Sequence, residues 1–220
     1  MRHELKFTVT PPEAQQIRKR LRAVAKHDPH AQNGTYFIRS LYFDTPQNDA
    51  LLEKINGVNK RSKYRLRMYN GDDTLIHLEK KSKLNGLCSK QSAVISKQET
   101  QQLLAGCLEW CADAERPLIH ELAIGMRSRR LQPKTIVDYT REPFVYPAGN
   151  VRVTLDSNIK TALRCTDFLD ASCVTVSVPD SPIILEVKWD AYLPDIIRAA
   201  VQLDRLQGAY SKYAACRAYG

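Results

Sequence analysis

Cationic side chains alternate with apolar ones along the segment 63–83, KYRLRMYNGDDTLIHLEKKSK. Lys63, Arg65 and Arg67 precede the turn residues, and Lys81 and Lys83 follow them. A guanidinium is a planar fork that matches the oxygens of a phosphate group, so this pattern suggests a site for a polyanion. A solvated outer face of a sheet has the same pattern, and the segment alone does not decide between the two.

The same segment predicts a β-hairpin with one charged and one apolar face. Asn70-Gly71-Asp72-Asp73 is typical of a tight turn. Successive strand side chains point to opposite faces, so all the odd-numbered cations share a face only if the loop has an odd length, such as 71–73. Arg65 is then predicted to face Glu79, and Lys63 to face Lys81.

Length, charge and cysteine usage limit the class of protein. With 220 residues, 43% of them hydrophobic, the chain can form one domain with a sizeable core. A formal charge of +9 favours an anionic partner such as nucleic acid, a membrane surface, nucleotide or polyphosphate. No apolar run approaches the ~20 residues that span a bilayer, and the first residues contain no signal-peptide core. The six cysteines show no CxxC and no zinc-ligand spacing, so we expect a cytoplasmic protein with reduced thiols.

Apolar periodicity along the chain predicts about eight strands and about four helices in a single domain over residues 1–220. Thr10-Pro11-Pro12-Glu13 is typical of a helix start, and a last long helix is predicted from Pro194 to Gly208. In six predicted strands the charged residues fall on one face and the apolar residues on the other. The apolar faces need helices to cover them, which leaves the charged faces pointing inward. We therefore predict an α+β fold, a closed, largely antiparallel β-barrel of about eight strands with a basic tunnel and peripheral helices.

Eight short motifs occur in an order that resembles the VTC domain, the catalytic domain of vacuolar transporter chaperone polyphosphate polymerases. They are RHELKF, SLYFDT, KYRLRMY, LEKKSK, VDYTREPF, VRVTLD, LEVKWD and YSKY, and they cover the chain from Arg2 to Tyr213. This family belongs to the triphosphate tunnel metalloenzymes, together with the CYTH triphosphatases. The resemblance implies transfer of the γ-phosphate of ATP onto a growing polyphosphate chain inside a basic tunnel, with Mn²⁺ as the expected metal and Mg²⁺ as the alternative.

The resemblance also implies roles for individual residues. It assigns Glu186 to the metal. It implies a catalytic set around the transferred phosphate, consisting of Lys6, Arg65, Arg67, Lys81 and Lys188. It implies a substrate-binding set consisting of Lys83, Lys90, Tyr139, Arg141, Arg152, Ser211 and Lys212. The purely structural alternative for Glu186 is a salt bridge to a neighbouring cation.

The chain departs from the family pattern at three places. Lys83 stands where the family has a histidine, and Ala209 where eukaryotic members tend to have a lysine. The carboxylate-rich first strand of CYTH triphosphatases is present only in part, as Glu4-x-Lys6. Three functions stay open: an ATP-dependent polyphosphate polymerase, a tunnel triphosphatase, and a non-catalytic polyphosphate-binding module. The expected partners are ATP and inorganic polyphosphate and not nucleic acid, and any membrane partner would be a separate chain.

Overall fold

A computed structural model describes residues 2–31, 33–85, 87–112, 115–204 and 206–219. The strands of this part are β1 (His3–Val9), β2 (Lys26–His27), β3 (Tyr36–Asp44), β4 (Arg61–Tyr69), β5 (Asp72–Leu84), β6 (Leu87–Ile95), β7 (Gln132–Tyr146), β8 (Val151–Thr161), β9 (Val176–Ser177) and β10 (Ile183–Trp189). The α-helices are α1 (Pro11–Val24), α2 (Asp49–Ile55), α3 (Lys97–Leu104), α4 (Pro117–Arg129), α5 (Asp195–Ala200) and α6 (Lys212–Arg217). Among the described residues, no helix is both long and apolar enough to cross a membrane.

The chain divides into two compact units. The first unit contains residues 1–37, 139–159 and 177–211, and the second contains residues 38–138, 160–176 and 212–220. The strands β3, β7, β8 and β9 each have residues in both units.

In the first unit, helices cover the apolar faces of antiparallel strands. The strand order is β1, β10, β8 and the second half of β7, with β2 pairing on β7. The pairs β1–β10 and β10–β8 are antiparallel, and Lys6 faces Glu186 across the first of them. Buried residues of α1 and α5, such as Ile17 and Ile197, form one core with Val153 and Leu185 of the strands. Helix α1 starts as predicted, since the Glu13 carboxylate accepts a hydrogen bond of 2.7 Å from the Thr10 N–H.

The second unit has the same layering. The strand order is the first half of β7, then β3, β4, β5 and β6. Leu66 on β4 and Leu78 on β5 are fully buried, and they belong to one core with Leu103 of α3 and Leu122 of α4. The even-numbered apolar residues of the hairpin therefore lie under helices, as the alternation predicted. The predicted α+β class with a largely antiparallel sheet is confirmed.

The register of the β4–β5 hairpin is confirmed, but its predicted loop is wrong. Arg65 faces Glu79 and Lys63 faces Lys81. The strands continue to Tyr69 and Asp72, so the turn is the two-residue Asn70-Gly71, and both residues have the positive φ (54° and 73°) that such a turn needs. An irregularity in the pairing between Arg67 and Tyr69, instead of an odd loop, restores the register.

The last predicted helix is much shorter than expected. Helix α5 ends at Ala200, and Leu206, which lies within the predicted helix, is 93% exposed. The Gly208 N–H donates a hydrogen bond of 2.8 Å to the Lys6 carbonyl on β1. A tertiary contact with a strand has therefore replaced the helical pairing that local periodicity favoured.

Candidate functional site

Three predicted site residues of the second unit converge on one buried carboxylate. Glu79 on β5 is 3% exposed. Arg65 lies with Nη2 2.6 Å from Oε2 of Glu79, Arg67 with Nη1 3.6 Å from the same oxygen, and Lys90 with Nζ 2.5 Å from Oε1. We call Arg65, Arg67, Glu79 and Lys90, with Ser40 and Tyr42 of β3, the arginine cluster. Its formal charge of three cations on one carboxylate makes it suited to an anionic ligand.

The cations of this cluster control the pKa of Glu79. Burial alone would raise the pKa of the Glu79 carboxyl, but Arg65 and Arg67, followed by Lys90, hold that pKa well below its ordinary range. Glu79 is therefore ionised across the physiological pH range. It orients the Arg65 guanidinium, whose Nε donates a hydrogen bond of 2.7 Å to Oε2 of Glu79, and it attracts the Arg67 guanidinium as an ion pair at 3.6 Å.

Strand β3 supplies the polar oxygens on the other side of the arginines. Arg67 donates through Nε to the Ser40 hydroxyl (3.2 Å), and Arg65 donates through Nη1 to the Tyr42 hydroxyl (2.8 Å). Burial would raise the pKa of Tyr42, but the nearby charges of Arg65, Lys63 and Arg67 lower it to about 7. The Tyr42 hydroxyl is thus partly ionised near neutral pH and acts as a second anionic partner for Arg65.

The remaining predicted cations of the hairpin lie on the same strands. Lys81 is half-buried and faces Lys63 on β4 and Lys90 on β6. Lys83 is half-buried and faces Arg61 and Cys88. Like charges opposite one another in a sheet repel, which an anionic ligand would relieve. Lys212, the first residue of α6, is also half-buried in this unit.

In the first unit, two lysines and two glutamates form a compact square. Lys6 Nζ lies 3.0 Å from Oε1 of Glu4 and 3.5 Å from Oε2 of Glu186. Lys188 pairs closely with Oε1 of Glu186, and its Nζ lies 3.9 Å from Oε2 of Glu4. We call these four residues the lysine–glutamate cluster. The pairing predicted as the structural alternative for Glu186 is present, and a metal role for Glu186 stays a prediction.

Burial and charge act in opposite directions on the lysine–glutamate cluster. Burial would raise the pKa of Glu186, but Lys188, Lys6 and Arg141 hold it well below its ordinary range. Burial lowers the pKa of Lys188 despite Glu186, whereas for Lys6 the attraction of Glu186 and Glu4 outweighs burial and raises the pKa. Of the two lysines in the cluster, Lys188 therefore gives up its proton more readily than Lys6.

The other predicted residues of this unit form separate contacts. Arg141 forms a bidentate ion pair with the fully buried Asp156, in which Nε donates to Oδ1 at 2.7 Å and Nη2 donates to Oδ2 at 2.8 Å. The Arg141 guanidinium also lies 5.5 Å from the centre of the Tyr139 ring. Arg152 pairs with Asp28 at 3.2 Å, and its Nε is a buried donor that has no hydrogen-bond partner within the described part of the chain. Ser211 is half-buried in the segment that precedes α6.

The candidate metal ligands of the first unit are the carboxylates of the lysine–glutamate cluster. Among the described residues, no group of three or more His, Cys, Asp or Glu side chains is arranged to hold a metal ion. Two carboxylates, Glu4 and Glu186, do share the same pair of lysines. Mg²⁺ and similar hard cations commonly bind through one or two carboxylates, with water and substrate phosphate oxygens as the other ligands. Both carboxylates are paired with lysines in the described structure, and a metal role for them stays a prediction.

Sequence reasoning assigned no role to several residues that the structure places in these clusters. Ser40 and Tyr42 lie in the motif SLYFDT. Their alternation with the apolar residues Leu41 and Phe43 was the available signal that both side chains share the polar face. Asp28, the partner of Arg152, directly follows β2, and nothing in the local pattern identifies it. Glu4 was noted only as part of Glu4-x-Lys6, and its contact with Lys188 depends on the β1–β10 pairing.

Comparisons with known proteins agree with this description. A family model described as VTC domain matches residues 1–219. A search of curated proteins gave no match. The solved structure of HpAC1 from Hippeastrum, described as a proposed adenylyl cyclase with a dominant triphosphatase activity, is 16% identical with a TM-score of 0.57, over 99% of this chain and 96% of that chain. A proposed adenylate cyclase from Bacillus halodurans is 15% identical with a TM-score of 0.49, over 84% of this chain and 78% of that chain. The likeness to HpAC1 confirms the predicted fold class.

Proposed function

Because the chain belongs to the VTC domain family, we propose that it is a metal-dependent polyphosphate polymerase that transfers the γ-phosphate of ATP to inorganic polyphosphate. The observation that carries this proposal is the arginine cluster, in which three cations share the single buried carboxylate of Glu79. Family and fold support a protein that handles triphosphates. As part of the same proposal, residues 1–220 form one VTC-type domain that acts in the cytoplasm.

Phosphoryl transfer depends on positioning and charge neutralisation more than on covalent chemistry. Arg65 and Arg67 would bind phosphate oxygens, with Glu79 and the β3 hydroxyls holding both guanidiniums in place. Lys81 and Lys90 would neutralise further oxygens of the chain. The attacking group is a terminal oxygen of the acceptor phosphate, so the protein need not supply a nucleophile. A divalent cation held by Glu186 and Glu4 would neutralise charge on the phosphate oxygens.

The first experiment is phosphorus NMR of the purified protein with ATP, Mn²⁺ and a trace of pyrophosphate. A growing signal from internal chain phosphates, together with ADP, is the expected result. Orthophosphate without chain growth would replace the polymerase with a triphosphatase. Absence of turnover with tight binding of polyphosphate would instead identify a binding module.

The arginine cluster is tested by the double variant Arg65→Ala, Arg67→Ala. We expect turnover to fall by at least about 100-fold, as expected when charge-stabilising groups at a transition state are removed, while the variant still folds. The matched control replaces two exposed arginines on helices, Arg20→Ala and Arg198→Ala, which removes the same charge. Equal losses in both double variants would show that net charge, and not the cluster, supports turnover.

The metal assignment is tested by Glu186→Gln, with Mn²⁺ binding followed by electron paramagnetic resonance in the presence of tripolyphosphate. We expect weaker Mn²⁺ binding and loss of metal-dependent turnover. Glu142→Gln is the control, because Glu142 is also a buried carboxylate, paired with Arg18 at 2.6 Å. Unchanged Mn²⁺ binding in Glu186→Gln would leave that residue with a structural role only.

One observation favours triphosphate hydrolysis as the second candidate function. Glu4 and Glu186 approach the same two lysines, so the first strand contributes a carboxylate to the candidate metal site. A carboxylate on this strand is part of the CYTH triphosphatase pattern described above. If Glu4→Gln abolished release of orthophosphate from tripolyphosphate but left chain growth intact, Glu4 would belong to a separate hydrolytic activity.

A further inference from the structure

Two cysteine thiols lie against each other outside the clusters described above. Cys165 Sγ lies 3.3 Å from Cys173 Sγ, and both side chains are partly buried. They belong to the connection between β8 and β9 in the second unit. Of the four other cysteines, Cys88 and Cys107 are exposed, and Cys111 and Cys216 are buried.

Tight turns hold the two thiols together. The Cys165 N–H donates to the Ala162 carbonyl at 2.9 Å, and the Cys173 N–H donates to the Asp170 carbonyl at 3.3 Å. Between them, Phe168 is fully buried in the core of the unit, and Cys165 and Cys173 pack against the same core. The backbone thus brings the two sulfurs into contact before any covalent bond exists, so a bridge requires little rearrangement.

We propose that Cys165 and Cys173 form a reversible disulfide in exchange with a low-molecular-weight disulfide such as oxidised glutathione. This assigns the pair a redox function that is independent of the proposed polymerase activity. It also refines the expectation of reduced thiols, which rested on the absence of CxxC spacing. The described structure corresponds to the dithiol form.

The exchange balances in two steps. The Cys165 thiol loses its proton and attacks one sulfur of oxidised glutathione, which forms a mixed disulfide and releases one glutathione. Cys173 then loses its proton and attacks the Cys165 sulfur, which closes the internal bridge and releases the second glutathione. Burial, followed by the hydrogen bond with Cys165, raises the pKa of Cys173 to about 12, so Cys173 is the resolving thiol.

The bridge would restrain the segment that supports a buried ion pair. Arg39 donates through Nη1 to the Asp170 carbonyl at 2.7 Å, between the two cysteines in sequence. The same guanidinium pairs with Asp138, with Nη2 3.0 Å from Oδ2. Closing the 165–173 loop covalently reduces the freedom of the unfolded chain, so the oxidised protein should unfold at a higher temperature than the reduced protein.

The test is intact-protein and peptide mass spectrometry of the folded full-length chain, first reduced and then equilibrated with oxidised glutathione. We expect the loss of two hydrogens, a cross-linked peptide containing Cys165 and Cys173, and full reversal by a dithiol reductant. Cys173→Ser should abolish the cross-link and leave glutathione bound to Cys165, because the resolving thiol is missing, whereas the control Cys107→Ser should keep the cross-link.

Two outcomes would overturn the proposal. One is stable glutathione adducts on Cys165 or Cys173 without an internal bridge while circular dichroism reports a folded chain. The other is a bridge to any other cysteine. Thermal unfolding of the oxidised and reduced forms gives a second readout, and equal midpoints would show that the bridge does not restrain the fold.

Discussion

Glu79 is the residue on which the charge balance of the arginine cluster depends. Its buried carboxylate lies against Arg65, Arg67 and Lys90. Removal of one partner from a buried ion pair leaves a charge that neither water nor protein compensates. The loss of stability is then usually larger than the net stabilisation that the intact pair provided. A substrate phosphate would offer the same compensation from outside.

The first prediction is that Glu79→Gln destabilises the fold and that an anion restores part of the loss. We expect the free energy of unfolding to fall by about 3 kcal/mol, measured by urea denaturation. Tripolyphosphate should raise the unfolding midpoint of this variant more than that of the parent, because binding to the folded state adds stability. The control is Glu53→Gln, since burial raises the pKa of Glu53 and its ionised form contributes little. Equal effects of tripolyphosphate on Glu79→Gln and the parent would contradict an anion site at the cluster.

The second prediction concerns Tyr42, whose pKa of about 7 separates it from most tyrosines. The ultraviolet absorbance of tyrosinate should show one step near neutral pH in the folded protein, and Tyr42→Phe should remove it. Tyr64 provides the internal contrast, because burial and its hydrogen bond with Glu121 raise its pKa. Binding of tripolyphosphate, which brings negative charge to Arg65, should move the Tyr42 step to higher pH. A first step that appears only in the ordinary tyrosine range would refute the assignment.

At the scale of elements, the C-terminal helix α6 is attached to β3 by its second residue. The Tyr213 hydroxyl donates to Oδ2 of Asp44 at 2.6 Å, and the Tyr213 ring stacks on Tyr42 at 4.9 Å. Asp44 is fully buried and also accepts from the N–H groups of Ala50 and Leu51 at the start of α2. One carboxylate therefore connects the C-terminal helix, β3 and the first turn of α2.

The third prediction is that Tyr213→Phe destabilises the second unit while the aromatic stack remains. A hydrogen bond to a charged group is worth about 1.5–3 kcal/mol, and we expect a loss of this size in urea denaturation. Asp44→Asn should lose more, because it weakens the start of α2 as well. The double variant should lose less stability than the sum of the losses in the two single variants, since both substitutions remove the same hydrogen bond. Strict additivity would show that Tyr213 stabilises the fold through its ring alone.

Local pattern was sufficient for the elements whose two faces differ. In the β4–β5 hairpin, alternation required facing residues to have an even index sum, and the assumed loop at 71–73 then gave the facing pair Arg65 and Glu79, which the structure confirms. The loop length was not predictable, since an irregularity in the pairing can replace an odd loop. The contact of Tyr213 with Asp44 joins residues 169 positions apart, and no periodicity encodes such a contact. The predicted last helix failed for the same reason, because Gly208 pairs with β1.

At the scale of the whole molecule, the chain combines an excess of basic residues with carboxylates that are kept ionised by ion pairs. The chain has 33 basic and 24 acidic residues, and this excess favours binding of anions at the expense of self-repulsion. Several carboxylates are nevertheless held firmly ionised by neighbouring cations. Glu79 and Glu186 have pKa values well below the ordinary range, and Arg116 lowers the pKa of Glu99 to about 2. These acids stabilise the fold only while they are ionised.

The last prediction follows from the sign of these shifts. In the unfolded chain a glutamate takes up its proton at pH of about 4.3, whereas in the folded chain these three take it up only at lower pH. Between the two values the unfolded state binds more protons, so the free energy of unfolding must fall as the pH falls. We expect the contribution of these three acids to be constant above about pH 5 and to be lost progressively below it, measured by urea denaturation at a series of pH values. Burial raises the pKa of Asp138 and gives an opposing slope, so the test is differential: Glu79→Gln and Glu186→Gln should each show a shallower loss than the parent, and Glu53→Gln should not. Identical slopes in all four proteins would mean that acid sensitivity arises from net charge instead of from the two ion-paired clusters.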